Sequence, residues 1–322
     1  MKRLVTTVMV VCFLMVFFAD PAAGQSDYPN KPVTVIVPAA AGGGSDLLAR
    51  MFQKAFKEND LLDVPLVIIN VPGAGLSIGS RRVKDSDPDG YTFLLNHIAI
   101  LSREAAGLDD FGYRDFEPVA QTVGYCSVIS VKDDGPYQTL PDLLKAAKEK
   151  PDTIIFGANL GALNHMAGLT LQASSPGSVL RFVQIGGGAK NFAALKGGHT
   201  TVTHFGASLF SRYSADGING LAILADQRHP LLPDLPTARE LGYDAIFSIM
   251  NYWFAPEGTP QYAIDYFADA LGRALEIESV QESIRNDYST TSFLSGRAFA
   301  NELRAAYRRI APIAQQATAA SE

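Results

Sequence analysis

The chain has 322 residues, of which 47% are hydrophobic and 19% charged, so it is long enough to bury one large core or two ordinary ones. Its net charge is −6, and no run of consecutive basic residues is longer than two. This excludes nucleic acid as the main partner, because duplex binding requires patches of Lys and Arg. Two cysteines, Cys12 and Cys126, are too few for a disulfide framework or a cysteine-rich zinc site.

The N-terminus has the organisation of a secretory signal peptide. Lys2 and Arg3 precede an apolar run over residues 4–19, and small residues follow up to Gly24. The run is shorter than the roughly 20 residues of a membrane-spanning helix, which disfavours the alternative of an uncleaved anchor. We therefore expect residues 1–24 to be removed, leaving about 298 residues with a net charge of −7.

After this segment the chain alternates strand and helix patterns. Continuous apolar, β-branched runs predict strands buried in a parallel sheet, at 33–37, 66–69, 91–95, 153–156, 179–185 and 200–205. Helical spacing of apolar residues predicts a first helix capped by Ser45 or Asp46. Further helices are predicted at 77–84, 163–172, 189–196, after 205, and at 296–318. Two successive βαβ halves of this kind indicate an α/β protein.

The segment PAAAGGGSD, at residues 38–46, leaves the first strand and opens the first helix. Its glycines remove side chains that would block close approach, and the N–H groups and dipole of a helix N-terminus favour an anion. No Gly-Lys-Ser/Thr follows, so the segment is not a phosphate P-loop. A tight turn without a ligand is the alternative interpretation.

Two segments of the second half have the same plan. The loops at 157–165 and 185–191 each follow a predicted strand, contain glycine and open a helix. Open α/β sheets bind ligands at the carboxyl ends of their strands, where all these loops lie. The pattern predicts one carboxylate-bearing ligand held between two halves.

Catalytic motifs are weak in this sequence. The loop at 71–79 resembles a dinucleotide-binding fingerprint, but its last glycine comes one position late and the expected acidic residue is missing. Ser208 lacks the second glycine of a nucleophile elbow, because Phe210 stands at that position, and Asp46 is interpreted as a helix-start residue. The five histidines show no zinc-binding spacing: His97, His165, His199, His204 and His229. We predict no catalytic residue, metal or cofactor; a dinucleotide-using enzyme is the rival hypothesis.

Seven segments between residues 28 and 260 form an ordered set: YPNKPV (28–33), PAAAGGGSD (38–46), NVPGAG (70–75), DPDGYT (87–92), HMAG (165–168), LPDLPT (232–237) and FAPEGTP (254–260). In this order they resemble the periplasmic solute-binding proteins of tripartite tricarboxylate transporters, the TctC or Bug family. No single segment is decisive, but the ordered set covers most of the expected mature chain.

The resemblance implies a two-lobed α/β fold of the type II periplasmic-binding class. Each lobe would be a mixed, mostly parallel sheet flanked by helices, with the ligand cleft between the lobes. Lobe 1 would comprise 28–123 and 250–322, and lobe 2 would comprise 124–249, with crossing segments near 117–131 and 246–254. The implied protein is a periplasmic monomer that delivers a small organic carboxylate, such as a di- or tricarboxylate or an aromatic acid, to integral-membrane permease subunits.

The resemblance also implies that main-chain N–H groups in loops of both lobes recognise the anion. The candidate ligand-binding residues are Ala40, Gly43, Gly44, Ser45, Asp46, Gly73, Ala74, Asn96, Asn159, Gly161, Ala162, Leu163, Asn164, His165, His204 and Phe205.

Two departures from many relatives bear on the ligand. Ile185-Gly186 stands in place of an aromatic-basic pair, and Phe205 stands in place of an aspartate. The missing aspartate disfavours amino acids as ligands, and Ile185 and Phe205 are expected to form an apolar wall suited to an aliphatic or aromatic acid. A periplasmic sensor that presents the same acids to a receptor remains an alternative to transport.

Overall fold

A computed structural model describes residues 28–160 and 162–319; the predicted signal peptide lies outside these residues. The strands are β1 (Val33–Val37), β2 (Leu66–Asn70), β3 (Thr92–His97), β4 (Phe116–Lys132), β5 (Ile154–Ala158), β6 (Leu180–Gln184), β7 (Val202–Gly206), β8 (Ile218–Ile223), β9 (Ser248–Pro256) and β10 (Thr290–Ser295). The helices are α1 (Gly44–Glu58), α2 (Ser77–Lys84), α3 (Ala99–Ala105), α4 (Leu140–Glu149), α5 (Leu163–Ala173), α6 (Gly188–Lys196), α7 (Ala207–Ser214), α8 (Gln261–Leu275), α9 (Glu278–Asn286) and α10 (Gly296–Ala319).

The strands and helices predicted from residue patterns are confirmed, with small shifts at their ends. The predicted cap of α1 is wrong. The N-cap is Gly43 rather than Ser45 or Asp46, and no side chain caps this helix. The Asp46 side chain instead turns back to the Gly42 N–H, which lets the helix begin earlier. Residue patterns did not predict β4 and β9, which were expected only as crossing segments from the resemblance. Six elements were predicted by neither route: α3, α4, β8, α8, α9 and β10.

Two parallel groups of strands form the outer parts of the sheet. In the first, β1 lies between β2 and β3, with Val35 opposite Ile68 on one side and Phe93 on the other. In the second, β5 lies between β6 and β7. Because parallel strands end at the same edge of a sheet, each group presents its loops and helix starts along one edge.

The 17-residue strand β4 connects the two groups. Its first part pairs antiparallel with β9 and β10, and its second part with β7 and β8. The strand order is β2-β1-β3-β9-β4-β7-β5-β6. The protein therefore has the predicted two-lobed, mixed α/β fold, and the predicted crossing segments are the strands β4 and β9. The lobe limits at 123/124 and 249/250 stay a prediction.

The packing around the single tryptophan anchors the first group of strands. Trp253 on β9 is fully buried, and its ring packs edge-on against Phe52 of α1 and Phe267 of α8. The indole Nε1 donates a hydrogen bond to Thr122 Oγ1 on β4 at 3.0 Å. A buried indole with its polar group paired stabilises the contact of α1 and α8 with the sheet.

Two further observations concern the described residues as a whole. Within 28–160 and 162–319, no helix combines the length and apolarity needed to cross a bilayer.

Cys126 on β4 is a buried free thiol, and burial raises its pKa to about 11. The thiol is therefore protonated at neutral pH and is a poor nucleophile.

Gly79→Ala tests the close contact between α2 and the β1–α1 loop. A Cβ at Gly79 would lie 2.8 Å from Pro38 Cα and 2.7 Å from the Val71 carbonyl oxygen. We expect a loss of about 1–3 kcal/mol of unfolding free energy. Urea denaturation followed by the fluorescence of Trp253 measures it. Gly44→Ala is the control, since its Cβ meets no atom within 4 Å; equal stability of both variants would contradict the contact.

Candidate functional site

Six helices follow parallel strands of the two groups, and four of them have small N-cap residues. None of these four has a side-chain cap: Gly43 for α1, Ala162 for α5, Gly187 for α6 and Gly206 for α7. By contrast, α4 begins elsewhere and is capped by Thr139, whose Oγ1 accepts a hydrogen bond from Asp142 N at 3.2 Å. No N-cap side chain competes for the first-turn N–H groups of these four helices, which are donors for an anion. In α5 one of these groups, His165 N, donates to Asn164 Oδ1 at 3.1 Å.

The loop between β1 and α1 is shaped by a buried carboxylate. Asp46 is 1% exposed, and its Oδ2 accepts hydrogen bonds from Gly42 N at 2.8 Å and Arg50 Nε at 3.0 Å. Gly42 has φ +80°, a conformation that favours glycine, and Gly43 N donates to Ala40 O at 3.1 Å. Asp46 thus fixes the glycine turn from its buried side through the hydrogen bond with Gly42 N.

The same contacts set the ionisation of Asp46. Burial by itself raises the pKa of this carboxyl, but hydrogen bonds from Arg50, the Gly42 N–H and Asn70 outweigh burial and lower the pKa below its ordinary value. The ionised side chain is held by the protein's own donors. Asp46 therefore acts within the loop, while Gly44 and Ser45 lie on the outer side of the turn, exposed or half-buried.

The loop after β2 contains four successive residues with positive φ. They are Gly73 (+130°), Ala74 (+44°), Gly75 (+62°) and Leu76 (+82°). Such a run is costly for the two residues with a Cβ and persists only where the surroundings impose it. Ser80 Oγ donates to Leu76 O at 2.8 Å, which ties the end of the loop to α2.

Asn96, a predicted ligand contact, supports this loop from inside. The residue is 2% exposed; its Nδ2 donates to Ser80 Oγ at 2.9 Å and its Oδ1 accepts from His97 N at 2.7 Å. The glycine at position 75 is explained by packing, because a Cβ there would lie 2.4 Å from the Arg103 guanidinium. The glycines of the dinucleotide-like loop thus accommodate the protein's own side chains.

The loop after β5 is held by amide side chains. Asn164 Oδ1 accepts hydrogen bonds from Asn159 N and His165 N, both at 3.1 Å, and its Nδ2 donates to Gly186 O at 3.2 Å. Gln184 on β6 donates to Asn159 Oδ1 at 3.0 Å and accepts from Leu160 N at 2.7 Å. These contacts join the loops after β5 and β6 into one unit. Sequence reasoning missed Gln184, although its position at the end of β6 was a usable signal.

The loop after β6 is tied down in a similar way. Buried Asn191 donates from Nδ2 to Gly186 O at 2.6 Å. Gly186 has φ +127°, and a Cβ there would lie 3.0 Å from Lys190 Cδ, so the aliphatic part of Lys190 lies over this turn. The exposed Lys190 places a cation at the start of α6 that the sequence analysis did not single out.

Three candidate residues of the second group lie inside the protein. His165 is fully buried with its ring 4.8 Å from that of Phe182, and His204 is 8% exposed opposite Phe247. Burial lowers the pKa of His165, and lowers that of His204 to about 4, so both rings are neutral at pH 7. Phe205 is 1% exposed and packs its ring 5.1 Å from Tyr213. Their contact with a ligand stays a prediction.

A cavity of about 510 Å³ is lined by residues from both predicted lobes. One wall comes from the loop after β2 and from β3 and α3, and it includes Gly75, Leu76 and His97. The other comes from the loop after β5 and from α5, and it includes the candidates Ala162 and Leu163. Gly161, also a candidate, lies outside the described residues. The cavity adds leucines to the site that no pattern had indicated, since isolated leucines in loops carry no periodic signal.

Asp46→Asn tests the internal role of this carboxylate. Its lowered pKa means that its stabilisation is present at neutral pH and is lost as the pH falls below about 4. We expect the variant to lose about 1–3 kcal/mol at pH 7, and the difference from the native protein to shrink on acidification, because native Asp46 then becomes protonated. Denaturation at several pH values measures both.

The matched control for that experiment is Asp269→Asn. Asp269 and Arg273 form the same i, i+4 pair as Asp46 and Arg50, but on an exposed surface. An exposed pair contributes little, so this variant should keep nearly native stability. A loss at Asp46 no larger than at Asp269 would contradict the role assigned to Asp46.

Comparisons with known proteins agree with this geometry. A UPF0065 protein in the TAR-I ttuE-ttuC' intergenic region of Agrobacterium vitis is 32% identical over 267 residues, covering 81% of this chain and 76% of that one. The crystal structure of a TctC solute-binding protein from Polaromonas, without ligand, superposes with a TM-score of 0.81 at 25% identity. That alignment covers 90% of this chain and 99% of the other.

A second solved structure is R. palustris Rpa4515 with adipate, with a TM-score of 0.71 and 25% identity over 90% of this chain and 98% of that one. The family model described as the tripartite tricarboxylate transporter family receptor, TctC, matches residues 48–310. This match begins inside α1, so it covers β2, β3 and the whole second group of strands but not β1 or the loop between β1 and α1. The resemblance expected from the sequence is thereby confirmed: the chain belongs to the TctC family of tripartite tricarboxylate transporter receptors.

Proposed function

We propose that this protein captures a small organic carboxylate between its two lobes and delivers it to the integral-membrane permease subunits of a tripartite tricarboxylate transporter. One observation carries the proposal: uncapped helix starts with Gly43 and Ala162 as N-caps follow parallel strands of both groups, in a chain of the TctC family. Such starts offer N–H donors and a favourable dipole to a carboxylate.

The adipate bound by the R. palustris relative supports the ligand class. Backbone donors suit this role because they cost no reorganisation when the anion arrives, provided that their loops are rigid. In this chain Asp46, Asn164 and Gln184 supply that rigidity through internal hydrogen bonds. The proposal includes no catalytic step and no cofactor, in keeping with a family of receptors.

The proposed path of the ligand begins in the periplasm, which the mature protein reaches after removal of residues 1–24. Lobe 1 (28–123 and 250–322) and lobe 2 (124–249) close over the ligand by bending at β4 and β9. The closed monomer is the form that the permease recognises. A ligand that contacts both lobes favours this form because its contacts are complete only there.

Binding is tested by calorimetric titration of citrate, malate, adipate and benzoate, with the thermal shift as a second readout. We expect at least one acid to bind, and we expect Ser45→Ala to weaken that binding by about 2–10-fold, the effect of one lost hydrogen bond. We expect Asn164→Ala to weaken it as well, because the loops after β5 and β6 lose the side chain that joins them. Asn219→Ala is the control, because the half-buried Asn219 side chain donates a hydrogen bond to Gln138 Oε1 at 2.9 Å and is not among the candidate ligand-binding residues. Native affinity in both site variants would remove these residues from the site.

The salt dependence of affinity tests how the anion is attracted. The expected mature chain carries a net charge of −7, so long-range attraction cannot draw an anion to it. Local helix starts act within a few ångströms and are screened little when the ligand is buried. We expect the dissociation constant to change less than about threefold between roughly 0.05 and 0.5 M NaCl. A tenfold or larger weakening would indicate long-range steering instead.

A further inference from the structure

The cavity between the two lobes has an unusual composition for a site that binds anions. We call it the apolar chamber; it has a volume of about 510 Å³ and is partly open to solvent. Its walls are built mainly by aliphatic side chains from both lobes: Leu76, Ala99, Leu108, Leu160, Leu163 and Met166. Leu163 is the first residue of α5, so the chamber begins directly at one of the uncapped helix starts.

Two polar side chains of the chamber are engaged with the backbone. His97 Nδ1 accepts a hydrogen bond from Ala99 N at 3.2 Å, and burial lowers the pKa of this ring to about 4. The imidazole is therefore uncharged at neutral pH. Ser102 is 1% exposed, and its Oγ donates to Ala99 O at 3.1 Å. Neither side chain brings a positive charge into the chamber.

Arg103 carries the one positive charge among the described residues that line the chamber, and this charge is neutralised within the protein. Arg103 Nε donates to Asp109 Oδ2 at 2.8 Å and a terminal nitrogen donates to Asp109 Oδ1 at 3.2 Å. The pair is mostly buried, at 23% and 11% side-chain exposure, and Ser77 Oγ donates to the same carboxylate. A two-point pair of this kind is costly to break for a ligand.

We propose that the apolar chamber holds the uncharged body of the ligand, and that this protein prefers monocarboxylates with an apolar body to acids with a second carboxylate at the far end. The inference rests on the proposed function, which places the ligand's carboxylate at the start of α5. From there an aliphatic or aromatic body enters the chamber. A second carboxylate would lose its hydration there without gaining a cation.

The apolar surface proposed to select the ligand lies in a different place from the one predicted from the sequence. The sequence analysis placed an apolar wall at Ile185 and Phe205, but Phe205 is 1% exposed and packs against Tyr213. The chamber supplies the apolar surface instead, from loops after β2, β3 and β5. Its volume lies in the range of small-molecule pockets and accommodates an acid of medium chain length.

Hexanoate and adipate form a matched pair of probes, because they have the same number of carbons and differ in the second carboxylate. Titration calorimetry of butanoate, pentanoate and hexanoate should show affinity rising about fourfold per methylene, the effect of burying one CH₂ group. Hexanoate should bind at least about tenfold more tightly than adipate, since a buried charge without a partner is strongly disfavoured.

Leu108→Lys places a cation at the rim of the chamber, where Leu108 is 51% exposed and the substitution is compatible with folding. We expect this variant to bind adipate more tightly and hexanoate more weakly than the native protein does. The ratio of its affinities for hexanoate and adipate should therefore fall or invert. Leu231→Lys is the control: Leu231 is similarly exposed, at 45%, and lies outside the chamber. The Leu231→Lys variant should keep the native ratio of affinities for hexanoate and adipate.

The outcomes separate this inference from the proposed function. If adipate or citrate binds and hexanoate does not, or if Leu108→Lys and Leu231→Lys behave alike, the chamber assignment is overturned while carboxylate binding stands. If none of the acids binds, both proposals fail. Affinity that rises along the monocarboxylate series, together with a preference that shifts only in Leu108→Lys, supports the inference.

Discussion

The structure depends on one long strand that both lobes share. β4 has 17 residues and forms backbone ladders with β9 and β10 in its first part and with β7 and β8 in its second. The ladders shift register near Pro118 and Gln121, where the pairing with β9 is irregular. Backbone hydrogen bonds along both parts of β4 make the two groups of strands parts of one sheet. The bending at β4 and β9 that the proposed function requires would take place within these shared strands.

The candidate site shows how an acidic protein can bind an anion. The helix starts at Gly43, Ala162, Gly187 and Gly206 offer backbone donors without side-chain caps. The polar side chains near them mostly serve the loops themselves, as Asp46 does. Local dipoles fixed in position do not require a net positive surface, because their field acts over the first turn of the helix only. The overall charge of the chain is therefore free to remain negative.

In the two proposals, the polar helix starts and the apolar chamber recognise different parts of the ligand. Backbone donors would bind the carboxylate, whatever is attached to it, and the leucines of both lobes would select the attached group. The ion pair of Arg103 and Asp109 fits this division, because it neutralises the only cation among the described residues that line the chamber. Within one fold, ligand class can then change through a few loop residues such as Leu108 and Leu160, without any change in the sheet.

The sequence by itself determined the α/β class, because β-branched runs and helical spacing are local patterns. Strand β1 and helices α2 and α5 were predicted nearly to the residue. The ordered motifs also identified the family, and the glycine loops indicated the edges of the sheet at which the candidate site lies. Elements whose helical or strand character is set by neighbours, such as β10 beside β4, were missed.

Only the tertiary structure decided which way each candidate side chain points. Asn96, Asp46 and Asn164 hold loops from within, which no linear pattern reveals, because Asn164 bonds to Gly186 22 positions away. The apolar chamber joins Leu76 and Leu108 to Leu163 across the two lobes. Contacts between distant segments arise from chain topology and packing. Local sequence patterns determine the individual helices and strands, but which of them come into contact is determined by the folding of the whole chain.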